Sequence, residues 1–308
     1  MTNVIAQWSA VSKRYRGVTA VQDVSLRLFA GEATALVGHN GAGKTTLIKL
    51  LLGLIRPNQG SVRVSDVDPA GAQGAEARRR LGFLPENVAF HGAMTGVELM
   101  AFYARLKGHS PRRNAQLLEQ VGIAAAANRR VSTYSKGMRQ RLGIAQALIG
   151  EPRLLLFDEP TSGLDPASRV EVFNMIDTLR SGGATVLVST HALAEVENRV
   201  DRVAVMHRGR LAAAGTLAQL REGVEADVRV RLRVQPCTTS LVIARLPDGA
   251  RCVDRAPDSL TLHVPPAAKM AVLRVLAELG DVVQDIDIAT PGLEELYRHL
   301  VRADGDAA

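Results

Sequence analysis

The chain has 308 residues, of which 46% are hydrophobic, and a formal net charge of +7. This length and composition support a full apolar core, in one large domain with a small one or in two ordinary domains. The sequence lacks a run of roughly 18 to 20 apolar residues that would span a bilayer, and its start lacks the features of a secretory signal. A cytosolic protein is therefore expected, and its two isolated cysteines, Cys237 and Cys252, fit a reducing compartment without a zinc site or disulfide.

The positive charge is distributed unevenly along the chain. Residues 225–308 carry 10 basic and 13 acidic side chains, so the excess of positive charge lies before them. Aromatic residues make up only 4% of the chain, and the arginine clusters at 78–80 and 129–130 are isolated. No nucleic-acid partner is therefore expected. Phosphate ligands and an anionic membrane surface explain the charge equally well.

The first part of the chain predicts a small antiparallel sheet and the start of a parallel one. Alternation of apolar and polar residues indicates strands at 4–8 and 20–29, with a turn at 15–17. An apolar run at 33–37 predicts a strand that enters a glycine-rich loop, and helical spacing predicts a helix at 45–54. Further strands are predicted at 61–64, 81–84, 154–157 and 184–189. The last two are continuous apolar runs, which are typical of parallel strands buried on both faces.

Helices are predicted to interrupt the sheet at about residues 92–150. The sequence Thr95-Gly96-Val97-Glu98 is a capping box that opens a helix at 97–106, Pro111 can open a second helix, and Ser135 starts a third. The chain thus combines an α/β core with a helical insertion.

The last third of the chain has its own pattern. A helix from His191 through Arg199 is followed by a hairpin of strands at 202–207 and 210–213. Beyond residue 225, strands at 227–234 and 259–264 and an amphipathic helix at 267–279 predict a small α+β domain. The expected domains are residues 1–222 and 225–308.

A phosphate-binding loop follows the predicted strand at 33–37. Its sequence is Gly38-His39-Asn40-Gly41-Ala42-Gly43-Lys44-Thr45. Glycines in such a loop let successive backbone N–H groups turn towards phosphates at a helix N-terminus. Lys44 adds a charge for the β- and γ-phosphates, and the Thr45 hydroxyl can ligate Mg²⁺. The loop predicts a nucleoside triphosphatase without indicating which one.

Two acids follow the predicted strand at 154–157. Asp158 lies at the carboxyl end of this strand, where ligands collect in α/β sheets, and can hold Mg²⁺ through water. Glu159 points elsewhere and can activate the attacking water as a general base. The alternative interpretation, solvated acids at a strand end, becomes weak once the phosphate loop is considered with them.

Further motifs make a family resemblance specific. The segment from Tyr134 to Arg141, Tyr-Ser-Lys-Gly-Met-Arg-Gln-Arg, resembles the signature motif of ATP-binding cassette (ABC) ATPases, in its usual place before the Asp158-Glu159 strand. Ser162-Gly163-Leu164-Asp165 resembles the D-loop of that family, and His191 matches its switch histidine. Tyr15 lies where the family has an aromatic ring that stacks on adenine. The resemblance covers roughly residues 4–220.

Three positions depart from the commonest family pattern. Lys136 and Met138 stand where many members have Gly and Gln, but Ser135 and Gly137, which the family uses at the γ-phosphate, are present. Glu86 replaces the usual Gln of the Q-loop. Its carboxylate could still ligate the metal.

The resemblance implies an ABC-type P-loop NTPase core with an antiparallel β subdomain and a helical subdomain, and it implies ATP and Mg²⁺ as cofactors. Glu159 and His191 are expected to be catalytic, and Thr45, Asp158 and Glu86 to ligate the metal. The residues expected to contact ATP are Tyr15, Gly38, His39, Asn40, Gly41, Ala42, Gly43, Lys44, Thr45, Thr46, Glu86, Ser135, Lys136, Gly137, Met138 and Asp165.

The expected partners also follow from the resemblance. Ser135 and Gly137 of one subunit would close over ATP held by Lys44 of another in a head-to-tail homodimer. The dimer would drive separate integral membrane permease subunits from the cytoplasmic face of the inner membrane. The helical insertion and the Glu86 loop would transmit the motion.

A finer resemblance rests on His39-Asn40, on Leu84-Pro85-Glu86-Asn87-Val88 and on the signature segment. These are similar to the ATPase of NosDFY-type transporters, which assemble the copper centre of nitrous oxide reductase and imply a periplasmic copper-handling partner reached through the permease. The alternatives are the ATPase of another ABC-2 type exporter, whose accessory tails are also similar, or a non-transport ABC ATPase that acts on nucleic acid or ribosomes. The absence of a long heptad arm or a second cassette disfavours the last alternative.

Overall fold

The structure is a computed structural model that describes residues 3–224 and 227–305. In those residues, every helix is too short or too polar to cross a bilayer. The chain divides between Thr216 and Leu217 into two compact units, which are described separately.

The elements of the first unit are, in chain order, β1 (Val4–Tyr15), β2 (Val18–Phe29), β3 (Ala33–Val37), α1 (Lys44–Leu51), β4 (Gln59–Val64), α2 (Gly74–Arg79), β5 (Leu81–Leu84), α3 (Gly96–Leu106), α4 (Asn114–Gln120), α5 (Lys136–Leu148), β6 (Leu154–Asp158), α6 (Pro166–Ser181), β7 (Thr185–Thr190), α7 (Leu193–Val196), β8 (Arg202–His207) and β9 (Arg210–Gly215).

A three-stranded antiparallel sheet forms the first layer, in the order β2-β1-β4. Both β1 and β2 are longer than the sequence pattern predicts. The reason is irregular pairing: Ala10 has φ 50°, and register shifts interrupt the alternation on which the prediction depended. The turn narrows to Arg16 and Gly17, which both have positive φ.

The second layer is a six-stranded sheet in the order β5-β6-β7-β3-β8-β9. Its first five strands are parallel, and β9 pairs antiparallel with β8, which confirms the predicted hairpin. The strands β3, β5, β6 and β7 therefore end at the same edge of the sheet. The phosphate loop, Glu86 and His191 follow these strand ends, and Asp158 is the last residue of β6.

One apolar core joins the two sheets and α1. It contains Trp8 on β1, Leu47 and Ile48 on α1, and Leu36 on β3. Trp8 is 1% exposed, and its indole N–H donates to the backbone oxygen of Leu47 at 3.2 Å. A large buried aromatic ring thus anchors the helix that begins at the phosphate loop.

Helices α3, α4 and α5 lie between β5 and β6, within the predicted insertion. The capping box is confirmed, since the Thr95 side chain accepts from Glu98 N and the Glu98 side chain accepts from Thr95 N. Pro111 opens a short 3-10 turn, Pro111–Arg113, which leads directly into α4. Ser135 caps α5 by accepting from Met138 N at 3.2 Å.

Helix α7 is shorter than expected, since it ends at Val196 rather than continuing to Arg199. The backbone tightens there because Arg199 N donates to the oxygen of Val196, three residues back. An α-helix would require the oxygen four residues back.

The second unit contains α8 (Leu217–Glu222), β10 (Val228–Val234), α9 (Thr239–Arg245), β11 (Arg251–Arg255), β12 (Ser259–Val264), α10 (Lys269–Glu278), β13 (Val283–Ala289) and α11 (Leu293–Gly305). Its four strands form an antiparallel sheet in the order β11-β12-β10-β13. One face of the sheet packs on Val242 of α9 and on Val272 and Leu276 of α10. Helix α8, which the sequence pattern assigns to the first domain, belongs to this unit, where Arg221 Nε donates to the oxygen of Pro291 at 3.0 Å.

Candidate nucleotide-binding site

The loop between β3 and α1 has the backbone geometry of a phosphate cradle. Gly41 and Gly43 have φ values of 82° and 104°, in the left-handed region that favours glycine. A Cβ on Gly38 would lie 2.5 Å from the oxygen of Met206, and one on Gly43 would lie 2.6 Å from the oxygen of Ala20. The glycines thus allow both the turn and the close packing that hold the loop before the N-terminus of α1.

Lys44 is buried at the first position of α1, with 6% of the residue exposed. Its Nζ donates to the oxygen of Gly38 at 2.6 Å and lies 3.2 Å from Oε1 of Glu159. The loop and the end of β6 therefore share one ammonium group. A phosphate entering the loop would compete with these oxygens for Lys44.

Asp158 is held at the end of β6 by the neighbouring strand. It is 3% exposed, and its Oδ1 accepts from Ser189 Oγ at 2.5 Å. The parallel register of β6 and β7 places these two residues opposite each other. The orientation of the Asp158 carboxylate is consequently fixed by its own chain.

Glu159 has a φ of 48°, which is uncommon for a residue with a side chain. Its backbone N donates to Ser189 Oγ at 3.0 Å, and its Oε2 lies 2.8 Å from His191 Nδ1. The residue is 7% exposed, whereas the His191 side chain is 53% exposed. Glu159 therefore lies between a buried ammonium group and a solvent-accessible imidazole.

These residues fit a nucleotide with a divalent cation. Backbone N–H groups of the loop and Lys44 suit phosphate oxygens, and the Asp158 carboxylate and the Thr45 hydroxyl are hard oxygen donors of the kind Mg²⁺ prefers. The buried Oε1 of Glu159 has the Lys44 ammonium as its ion-pair partner at 3.2 Å and no further hydrogen-bond donor among the described residues.

The segment after Glu159 is held to α7 by one carboxylate. Glu195 Oε2 accepts from Thr161 Oγ1 at 3.0 Å, and its Oε1 pairs with Arg169 Nη1 at 2.8 Å. Arg169 Nε also donates to the oxygen of Leu164 at 2.9 Å. Glu195 thus connects both ends of the D-loop to the segment that carries His191.

Asp165 caps α6 instead of facing the phosphate loop. It accepts from Ser168 N at 3.0 Å and from Ser168 Oγ at 2.7 Å. The hydrogen bond from the Ser168 hydroxyl, followed by that from its amide, lowers the pKa of this exposed carboxyl.

The signature residues form a separate group within this chain. Ser135 and Lys136 are exposed at the start of α5, and a Cβ on the buried Gly137 would lie 3.0 Å from Ser168 Oγ. The Lys136 ammonium lies over Gly163 of the D-loop. Ser135 accepts from Met138 N of α5, Gly137 lies against Ser168 of α6, and Lys136 lies against the D-loop.

Tyr15 and Glu86 are both accessible. Tyr15, at the end of β1, is 41% exposed, and Lys13 Nζ lies 5.3 Å from its ring centroid. Glu86 follows β5, which pairs in parallel with the strand that carries Asp158. Its exposed carboxylate lies two residues beyond Leu84, at the same edge of the sheet.

Sequence reasoning missed Ser189, Thr161, Arg169 and Glu195. Ser189 is 0% exposed and bridges Asp158 and Glu159. A serine at the end of an otherwise apolar buried strand was a usable signal, because a buried hydroxyl needs a hydrogen-bond partner. The Glu195 network joins residues far apart in sequence and gave no such local signal.

The fold and the site define the class of protein. A central parallel strand, a glycine-rich loop with a buried lysine at a helix N-terminus, and an Asp-Glu pair on a nearby parallel strand are the parts of a P-loop nucleoside triphosphatase.

Comparisons with known proteins define the family. The ABC transporter family model matches residues 21–162. The chain is 35% identical to the daunorubicin resistance ATP-binding protein DrrA3 of Streptomyces coeruleorubidus, over 95% of this chain and 94% of that protein. It is 30% identical to the linearmycin resistance ATP-binding protein LnrL of Bacillus subtilis (strain 168), over 94% and 96%.

Solved structures agree on the cassette. An ATP-binding subunit of an ABC transporter superposes with a TM-score of 0.65 at 30% identity, over 71% of this chain and 92% of that chain. A dimeric bacterial ABC transporter cassette, MJ0796, has the same fold, with a TM-score of 0.62 at 24% identity over 69% and 98%. The chain belongs to the ATP-binding proteins of the ABC transporter family, which bind ATP and couple its hydrolysis to transport.

Proposed function

We propose that this chain is the ATPase of an exporter that removes an antibiotic-class small molecule, and that it acts on a separate ABC-2 type permease at the cytoplasmic face of the membrane. The observation that carries the proposal is the extent of its similarity to DrrA3, 35% identity over 95% of this chain. That extent includes most of the second unit as well as the cassette.

Within the site, we assign the phosphate contacts to the backbone of the loop from Gly38 to Thr46 and to the side chain of Lys44, which belongs to the same segment. Thr45 and Asp158 would hold Mg²⁺, with Glu86 as a further ligand from the neighbouring strand end. The metal ion supplies charge neutralisation of the phosphate oxygens when it is bound. Ser189 Oγ donates to Asp158 Oδ1 and so fixes the orientation of the Asp158 carboxylate towards the metal ion.

Glu159 is proposed as the general base. Its buried carboxylate, whose Oε1 is paired with Lys44 in the described residues, can accept the proton of an attacking water once that ion pair opens. His191 Nδ1 orients Oε2 of this carboxylate at 2.8 Å and leaves the rest of the imidazole accessible to the γ-phosphate. Entry of the phosphate draws Lys44 away from Glu159. The Glu159 carboxylate then becomes available to accept a proton from water.

A head-to-tail homodimer completes the proposal. Ser135 and Lys136 are exposed at the start of α5, Met138 is partly exposed and Gly137 is buried. A second copy would bring them, with Asp165, to the ATP held by the first copy. Tyr15 would stack on adenine from its exposed position at the end of β1.

Maturation of nitrous oxide reductase is the second candidate function, with a periplasmic copper-handling partner. The residues that favour it are His39-Asn40, the segment 84–88 and the signature segment. The relatives described above are instead daunorubicin and linearmycin resistance ATP-binding proteins, so export is the preferred function.

Deletion of the gene in its native host separates the two candidates. The export proposal predicts greater susceptibility to an antibiotic, restored by the wild-type gene but not by a Glu159→Gln variant, with normal copper content of nitrous oxide reductase. Loss of copper from that enzyme with unchanged susceptibility would favour the second candidate. Recovery of the tagged chain with ribosomes or DNA, and without a membrane protein, would contradict both.

A further inference from the structure

His191 lies on a segment that cannot hold its own position. Its side chain is 53% exposed and, among the residues that the structure describes, its imidazole bonds to Glu159 Oε2 alone. The segment continues into α7, which has only four residues. A single helical turn is unstable by itself, because its first hydrogen bond does not offset the entropy lost in ordering the backbone. Tertiary contacts of α7 must therefore keep His191 beside Glu159.

Two side chains of α7 make such contacts. Val196 is 0% exposed and supplies an apolar anchor. The Glu195 side chain is 21% exposed and uses both carboxylate oxygens: Oε2 accepts from Thr161 Oγ1 at 3.0 Å, and Oε1 pairs with Arg169 Nη1 at 2.8 Å. A carboxylate that is engaged through both oxygens has a defined direction. Glu195 thus fixes the orientation of α7 as well as its distance from these partners.

Both partners of Glu195 belong to the segment that follows Glu159. Thr161 comes two residues after Glu159 and is 5% exposed, so its hydroxyl is held in the interior. Arg169 lies in the first turns of α6, and its Nε donates to the oxygen of Leu164 at 2.9 Å. Glu195 therefore contacts this segment near the acid itself and again where α6 begins.

These contacts close a loop around the Glu159–His191 hydrogen bond. The segment after β6 carries Glu159, and the segment after β7 carries His191. The two segments touch once through these side chains and a second time through Glu195. With one contact, the segments could rotate about it. With two contacts, the direction from which the imidazole approaches Glu159 is defined.

Stability alone does not account for this arrangement. The Arg169 side chain is 41% exposed, and ion pairs that reach solvent contribute roughly 0–1 kcal/mol to stability. The geometric effect is larger, because a small displacement of a group that orients a general base changes the rate steeply. The Glu195 contacts are therefore better suited to position α7 than to stabilise the fold.

We propose that Glu195 is a positioning residue for ATP hydrolysis. Its carboxylate holds α7 against the segment after Glu159, so that the His191 imidazole remains on Glu159 Oε2. The proposal rests on the proposed function, in which Glu159 is the general base and His191 faces the γ-phosphate. Glu195 acts through His191 and not on the nucleotide, so its loss lowers kcat and leaves the KM for ATP unchanged.

The first test is steady-state ATP hydrolysis by the full-length chain assembled with its permease. Glu195→Ala should lower kcat roughly tenfold while the KM for ATP stays within about twofold of wild type. Arg180→Ala is the matched control, because Arg180 is also an arginine of α6 and pairs with Asp201 at 3.3 Å, but at the far end of the helix. Its kcat and KM should match those of wild type.

A double-mutant cycle tests the route through His191. In a His191→Ala background, Glu195→Ala should cause no further loss of kcat, since the group that it positions is absent. A further tenfold loss in that background would show that Glu195 acts independently of His191, and it would overturn the proposal.

Conservative variants separate the hydrogen bond from the packing of Thr161. Thr161→Val keeps the shape of the side chain but removes the donor to Glu195, so kcat should fall roughly threefold or more. Thr161→Ser keeps the donor and should retain the kcat of wild type. Arg169→Ala removes the other contact and should also lower kcat. Its side chain is partly exposed, so this variant keeps the test decisive if Glu195→Ala fails to fold.

NMR of histidine labelled at Cε1 in the nucleotide-free full chain provides a readout that is independent of turnover. The His191→Ala variant identifies the His191 signal. Glu195→Ala should shift this signal, because the imidazole leaves Glu159, and Arg180→Ala should not shift it. A His191 signal that is identical in wild type and Glu195→Ala would contradict the proposal.

The same measurements distinguish this inference from the proposed function. If Glu159→Gln and His191→Ala both hydrolyse ATP at the wild-type rate, the roles proposed for these two residues are wrong, and the inference fails with them. If both variants lose turnover while Glu195→Ala keeps the kcat of wild type, or raises KM instead, only the inference about Glu195 is wrong.

Discussion

The two groups of residues that the family joins into one ATP site are held very differently in this chain. Lys44, Asp158 and Glu159 are each less than 8% exposed and bind one another or Ser189. Ser135 and Lys136 are exposed at a helix start, where Ser135 accepts from Met138 N and Lys136 lies against Gly163 of the D-loop. The phosphate-loop group is organised by the core of its own chain, whereas Ser135 and Lys136 are accessible to the second copy that we propose.

The largest effect is expected at Glu159. Glu159→Gln keeps the size of the side chain but removes the base, so ATP turnover should fall by about two orders of magnitude or more. ATP should then hold the chain as a dimer, measurable by gel filtration with and without ATP. Glu171→Gln, on the exposed face of α6, is the control. Turnover close to wild type in Glu159→Gln would make the general-base assignment wrong.

Lys44→Ala should weaken nucleotide binding itself, because the loop loses the ammonium group that faces the β- and γ-phosphates. We expect the Kd for ATP to rise on the order of tenfold to a hundredfold, measured by calorimetry. Lys49→Ala removes an exposed charge from the same helix and should bind ATP normally. An unchanged Kd in Lys44→Ala would show that the loop does not hold the phosphates in this way.

Ser189→Ala tests the organisation of the phosphate-loop group from within the core. It leaves the buried Oδ1 of Asp158 without its donor and removes an acceptor of Glu159 N, so the free energy of unfolding should fall by about 1–3 kcal/mol. Turnover should fall roughly tenfold as Asp158 loses its orientation. Thr190→Val, the control, removes a hydroxyl from the same strand; within the described part of the chain this hydroxyl is hydrogen-bonded to Ala192 N alone. Equal losses in the two variants would argue against a specific role of Ser189.

Ser135→Ala addresses the signature group. The loss of the helix cap should cost about 1 kcal/mol of stability. If Ser135 acts across a dimer, the ATP turnover of the variant should be below that of wild type when the chain is assembled with its permease. ATP binding to the isolated chain, measured by calorimetry, should stay unchanged. Ser132→Ala is the exposed control. Weaker ATP binding to the isolated chain would place Ser135 in the phosphate-loop group instead.

The smallest effect concerns the far end of the signature helix. Lys107 Nζ donates to the oxygens of Gln146 and Ile149 at 3.2 Å each, and burial lowers its pKa to about 8. The pKa of an unfolded lysine is about 10.4, so between these values the unfolded chain binds more protons, and the contribution of Lys107 to stability rises with pH.

Lys107→Met should abolish this pH dependence. The unfolding free energy of wild type relative to Lys107→Met should increase by about 2 kcal/mol between pH 7.5 and 9.5, measured by urea denaturation. Lys49→Met, at an exposed position, should show no such change. A difference that falls with rising pH would contradict the lowered pKa.

Much of the cassette was predictable because its signals are local. The loop from Gly38 to Thr45 and the capping box at Thr95 each lie within a few residues, and their geometry follows from backbone rules. Helix α7 and the division at Thr216 were less predictable, because hydrogen bonds outside the pattern decide where a helix ends and which unit it joins.

The sequence by itself determined that this is a phosphate-loop ATPase of the ABC family, since its motifs are short runs whose order can be recognised without knowledge of the fold. Only the tertiary structure decided which other residues position the side chains of these motifs. The register of β6 and β7 places Ser189 against Asp158, and packing of α7 beside the D-loop brings Glu195 to Thr161. Such pairings join residues about 30 or more positions apart, where local propensity carries no information and long-range packing selects the neighbours.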